Sequence, residues 1–102
     1  MKSAFILALL TAALAQDPAH AADPANGKRV AERWCASCHL VSPDQRQASA
    51  DAPAFAVIGR QPDFDAGRLA LFLLAPHPPM PNMALTRDEA AEIAAYIRSL
   101  AN

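Results

Sequence analysis

The pair of cysteines is the feature that most limits what this chain can fold into. The 102-residue sequence contains Cys35-Ala36-Ser37-Cys38-His39, in which a histidine follows the second cysteine directly. C-x-x-C-H is the attachment signature of c-type haem. On one helical turn, residues i and i+3 lie on the same side and can reach both vinyl groups of one porphyrin. The motif therefore predicts one covalently bound haem c per chain, with Cys35 and Cys38 as anchors and His39 as an iron ligand.

Two other interpretations of this motif remain open at this point. A thioredoxin-like dithiol shares the order Trp34-Cys35-x-x-Cys38, but it needs a preceding strand within a βαβ unit. A zinc site could combine the motif with His77. However, the adjacent Cys38 and His39 are poor tetrahedral partners, and structural zinc sites usually pair two separated knuckles. The haem interpretation fits the surrounding sequence best.

The N-terminus has the layout of a secretory signal peptide. Lys2 supplies a short positive region, and residues 4–15 are apolar apart from Thr11. Small residues allow cleavage after Ala15 or after Ala21, and we favour Ala21 because a polar segment then precedes the cut. The apolar run is too short to span a bilayer. We therefore expect residues 1–21 to be a cleaved signal peptide and residues 22–102 to be a bacterial periplasmic domain without a membrane span.

Size and charge restrict what the exported domain can do. Residues 22–102 form a chain of about 80 residues, which buries only about 60% of its unfolded surface and is marginally stable without help. The two cysteines could close only a very short loop, which stabilises a fold little. We expect the haem to fill the core instead. The formal net charge is −1 and no basic block is present, so nucleic acid is not expected as a partner.

Helical patterns account for most of the remaining chain. Asp23 precedes a helix expected from Pro24 to about Trp34. Asp63 or Asp65 can cap another helix, whose apolar residues occur nearly all round and should be buried on most sides. Further helices are expected at residues 55–60 and after the capping box of Thr86 and Glu89. Residues 40–53 are expected to form a loop, and residues 76–81 a stiff extended stretch. No alternating strand pattern occurs, so we expect an all-α fold of three to five short helices around one haem.

Electron transfer needs a sixth iron ligand, for which Met80, Met83 and His77 are the candidates. Met80 lies between Pro79 and Pro81 in a proline-rich segment. Prolines lower the conformational freedom of the unfolded chain, which suits a loop that must hold a weak thioether on iron. We therefore predict Met80 as the ligand. Met83 is expected to be a core filler, and His77 a solvent-facing loop residue.

The exported part of the chain resembles the small monohaem class I cytochrome c family over nearly all of residues 23–102. The resemblance rests on the helix at residues 27–30 leading into the C-x-x-C-H motif, on Met80-Pro81 and on residues 95–100. It implies the cytochrome c fold and one-electron transfer between redox proteins, without enzymatic activity. It also implies a first and last helix that cross near Gly27 and Tyr96. In that family a proline carbonyl accepts a hydrogen bond from the ligating histidine, and Pro53 matches that position.

The chain also departs from larger relatives of that family. Lys28 is the only lysine left after signal cleavage, so docking through a ring of lysines is not expected. Two alternative functions stay open at this stage. The first is a haem subunit of a periplasmic dehydrogenase or sulfur-oxidising enzyme. The second is a gas-sensing or catalytic haem protein with an open sixth position, which Met80 argues against.

Overall fold

Four helices make up the regular structure of the protein. The computed structural model describes residues 21–49, 51–75 and 78–102, so the expected signal peptide up to residue 20 and His77 lie outside the described residues. The helices are α1 (Pro24–Trp34), α2 (Phe55–Gly59), α3 (Ala66–Leu74) and α4 (Arg87–Ser99). No strand occurs in the described ranges. The prediction of an all-α fold with three to five short helices is confirmed.

Side-chain caps determine where three of the helices begin. The carboxylate of Asp23 accepts a hydrogen bond from the second residue of α1. Asp65, and not Asp63, caps α3 by accepting the Arg68 backbone N–H at 2.8 Å. Both bonds of the capping box form at α4, between Thr86 and Glu89. These bonds satisfy N–H groups that have no partner within the helix.

The first and last helices pack closely because glycines remove side chains from the contact. A Cβ atom at Gly27 of α1 would lie only 1.9 Å from the backbone oxygen of Glu92 in α4. A Cβ atom at Gly59 of α2 would lie 2.3 Å from the Ile97 oxygen. Glycine therefore lets α1 and α2 approach the α4 backbone to distances that no other residue permits. The expected crossing of the first and last helices at Gly27 is present in the structure.

The core is small and centres on α4. The buried side chains of Ile93, Tyr96 and Ile97 pack with Val41 and Phe55. The Tyr96 hydroxyl donates to the Val41 carbonyl at 2.5 Å, which joins α4 to the loop after the C-x-x-C-H motif. The Tyr96 and Phe55 rings lie 6.5 Å apart. This loop is therefore attached to the helical core at Val41.

Two local expectations were wrong. None of the residues of α3 is buried, although the helix was expected to be covered on most sides. Leu69 and Leu73 pack against the core, whereas Leu71 is 70% exposed, because α3 rests on the core through one face only. Residues 78–79 form a turn instead of an extended stretch, because the fixed φ of proline suits turns as well as extended backbone. Within the described ranges, no helix is long and apolar enough to cross a membrane.

Candidate functional site

The C-x-x-C-H motif forms one further turn at the end of α1. Cys35 is the C-cap of α1, and its N–H donates to the Ala31 carbonyl at 2.8 Å. The N–H groups of Cys38 and His39 both donate to the Cys35 carbonyl, at 3.2 and 2.9 Å. Helical bonding through the motif places positions i and i+3 on the same side of the turn. Within this turn Cys35 is buried, whereas Cys38 is half-buried.

The environment of the cysteines does not favour dithiol redox chemistry. Cys35 is buried, and this burial, with a smaller contribution from Cys38, raises the pKa of its thiol to about 11. Reactive dithiols instead lower the pKa of one cysteine to stabilise its thiolate. A helix, and not the strand of a thioredoxin-like unit, precedes the motif.

The structure gives no support to a zinc centre in the part of the chain that it describes. No group of three or more His, Cys, Asp or Glu side chains in these residues could hold a metal ion. His77, the fourth ligand of the zinc hypothesis, lies outside the described ranges.

The His39 ring is oriented by a backbone carbonyl. Its Nδ1 atom lies 2.7 Å from the Pro53 oxygen, so Nδ1 donates its proton there in the neutral ring. The Phe55 ring is tilted against the imidazole, with the centroids 5.3 Å apart. With Nδ1 engaged, Nε2 is the nitrogen left to bind a metal, and a bond of this kind fixes the tautomer and raises ligand basicity.

His39 and Met80 meet at one cavity. This cavity has a volume of about 550 Å³, within the range of binding sites for small molecules and cofactors. Its walls are mostly apolar and include Ile58 and Phe72, and Cys38 also lines it. Met83 is half-buried and is not among the lining residues. A haem requires an apolar pocket with side chains that can bind its iron, such as an imidazole or a thioether. The residues that line this cavity therefore fit a haem.

A glutamine that the sequence analysis did not consider holds the loop around this cavity. The Gln45 side chain forms hydrogen bonds to the backbone of both the C-x-x-C-H turn and the loop that follows it. Ser49 adds a second link, because its N–H and its hydroxyl both donate to the Ser37 carbonyl. A polar residue in an irregular loop carries no periodic or motif signal, so the sequence alone offered no way to identify Gln45.

Comparisons with known proteins agree with this geometry. The family model described as Cytochrome c matches residues 24–101. The chain is 53% identical over 95 residues to a protein named cytochrome c-552 from Bradyrhizobium diazoefficiens. That match covers 93% of this chain and 91% of the relative. No solved structure matches the chain significantly.

Proposed function

Because this chain belongs to the cytochrome c family, and is accordingly a haem electron carrier with covalently bound haem c, we propose a specific set of residues for that haem. Cys35 and Cys38 form the two thioether bonds. His39 is the proximal iron ligand and Met80 the distal one. The carrier is exported, after cleavage of residues 1–21, to the periplasm, where it passes single electrons between redox proteins.

The observation that supports this proposal is the common cavity of His39 and Met80. The two residues are far apart in the sequence, and Met80 comes from a segment that no helix includes. Both nevertheless line one apolar cavity, which Cys38 also lines. An imidazole and a thioether at the walls of one cavity are the pair of ligands that a six-coordinate haem iron needs.

Each of these side chains has a defined task. The bound haem supplies the Fe(III)/Fe(II) couple. The Pro53 carbonyl holds the His39 ring at Nδ1 and increases the electron donation of that ring. The thioether of Met80 favours the softer ferrous state and so raises the reduction potential. The side chains of Ile58 and Phe72 give the cavity apolar walls.

The covalent part of the proposal can be tested on the unfolded protein. The chain is produced in a host with c-type maturation machinery, denatured and extracted with acid-acetone. We expect the haem colour and the haem mass to stay with the polypeptide, because thioether bonds survive both treatments. A colourless chain with free thiols or a Cys35–Cys38 disulfide would contradict the attachment.

The ligand assignment is tested by comparing two methionine variants. Met80→Ala should lower the reduction potential, allow carbon monoxide to bind the ferrous iron and create peroxidase activity. Met83→Leu is the matched control, since Met83 does not line the cavity. It should keep the low-spin spectrum and cost less than about 1.5 kcal/mol of unfolding free energy.

Absorption spectra of each variant in both redox states, with and without carbon monoxide, separate the outcomes. Loss of the low-spin spectrum in Met83→Leu but not in Met80→Ala would show that the ligand assignment is wrong. Ready binding of carbon monoxide by the parent near neutral pH would favour a sensing or catalytic haem protein over an electron carrier.

A further inference from the structure

Gln45 forms an unusually complete set of hydrogen bonds with the backbone around the site. Its Oε1 atom accepts the Val41 N–H at 2.9 Å. The two protons of its Nε2 atom serve three carbonyls, those of Ala36 at 2.8 Å, His39 at 2.9 Å and Gln47 at 2.9 Å, so one proton is shared between two of them. One half-buried side chain therefore engages both the C-x-x-C-H turn and the loop after it.

The carbonyls of Ala36 and His39 need such a partner. The last carbonyls of a helix find no N–H donor within the helix. The C-x-x-C-H turn ends the helical bonding that begins in α1, so its carbonyls are in this position. An amide group is well suited here because it supplies donors to these carbonyls and an acceptor to a nearby N–H at the same time. A carboxylate of the same shape could supply only the acceptor.

Gln45 is itself connected to the rigid core. Its partner Val41 is fully buried, and the Val41 carbonyl accepts the hydroxyl proton of Tyr96 from α4 at 2.5 Å. A continuous path of hydrogen bonds therefore runs from α4 through Val41 and Gln45 to the His39 carbonyl. The His39 ring is held separately, by the Pro53 carbonyl.

We infer that Gln45 is a positioning residue for His39, which holds the main chain of the ligand while Pro53 holds its ring. This inference rests on the proposed function, because it concerns His39 as an iron ligand. Without the Gln45 amide, the Ala36 and His39 carbonyls turn to water, and the His39 peptide gains freedom to rotate. The imidazole would then be free to change its angle, and its hydrogen bond to Pro53 would lengthen.

The inference is tested in the haem-loaded protein with Gln45→Met, which keeps the chain length and adds no charge. Gln47→Met is the matched control, because Gln47 lies in the same loop and is exposed.

Proton NMR of the ferric protein locates the His39 ring resonances, and voltammetry gives the reduction potential. In Gln45→Met, we expect the His39 ring resonances to shift more than those of other haem contacts. The potential should rise, because a weaker bond to Pro53 reduces electron donation. Gln47→Met should change neither.

A second variant keeps the test decisive if Gln45→Met does not fold. Gln45→Glu retains the acceptor for the Val41 N–H and loses the donors, and Gln47→Glu controls for its added charge. A shift of the His39 ring resonances in Gln45→Glu beyond that in Gln47→Glu supports the inference. If the Gln45 variants lose stability but keep the parent's His39 resonances and potential, Gln45 only stabilises the loop and the inference is wrong. Absence of His39 ligand resonances in the parent would instead refute the proposed function.

Discussion

The contact between α1 and α4 gives a sharp test, because a single methyl group at Gly27 has no space. In Gly27→Ala, the new Cβ atom would lie 1.9 Å from the Glu92 oxygen, 2.4 Å from the Glu92 carbonyl carbon and 2.8 Å from the Ile93 nitrogen. Ordinary contacts begin at 3.4 Å, and all three atoms belong to the backbone. No side-chain rotation can relieve the clash, so the two helices must separate by about 1.5 Å at this point.

Two opposing effects set the size of the loss. Overpacking of a well-packed core costs about 1–3 kcal/mol, and the upper end applies where backbone must move. Alanine in a helix is favoured over glycine by about 1 kcal/mol, which offsets part of that cost. We therefore expect Gly27→Ala to lower the free energy of unfolding by about 2 kcal/mol. In a domain of this size, that change lowers Tm by about 10 °C.

Gly67→Ala in α3 is the matched control. Its Cβ atom would lie 3.3 Å from the Asp65 carboxylate oxygen, slightly closer than an ordinary contact, and would meet no backbone atom. A small movement of the Asp65 side chain relieves this contact, so the gain in helix propensity should leave the variant about as stable as the parent. Guanidinium unfolding of the haem-loaded proteins, followed by circular dichroism, measures both variants. A Gly27→Ala protein within about 0.5 kcal/mol of the parent would refute the close helix contact on which the calculation rests.

Three further predictions concern the haem, the core and the surface. Replacing Cys35 and Cys38 together by Ser should give a largely unfolded, protease-sensitive chain, because a domain this small buries too little surface by itself; a helical apoprotein that melts cooperatively would contradict this. Tyr96→Phe removes the hydrogen bond to Val41 and should lower the unfolding free energy by about 1–2 kcal/mol in guanidinium titrations. Burial raises the pKa of Tyr96 above its ordinary 10.0, so the folded state keeps this proton longer than the unfolded chain. Stability is therefore full below pH 10 and falls as the pH rises further, and that fall should shrink in Tyr96→Phe. The rate of electron transfer to a partner should fall only mildly with added salt, since the sequence contains no basic block. Stopped-flow rates that collapse at moderate salt would reveal a charged docking patch.

Features encoded by neighbouring residues were predictable from the sequence. The caps at Asp23 and Thr86 join residues two or three positions apart, so their formation depends little on how the rest of the chain packs. The C-x-x-C-H motif likewise needs only one turn of helix to place its residues. The hydrogen bond between His39 and Pro53 was expected only through the family resemblance, because no local pattern joins those two residues.

Tertiary structure alone decided the features that depend on the path of the chain. The exposure of α3 could not be derived from its composition, because it depends on which face meets α4 and which borders the cavity. The choice of Asp65 over Asp63 depends on where the backbone turns into that helix. Gln45 binds the His39 carbonyl from a loop that Tyr96 of α4 attaches to the core through Val41, and no local pattern specifies that attachment. Short-range hydrogen bonds are determined by sequence spacing, whereas these contacts follow from how the helices pack around a common core.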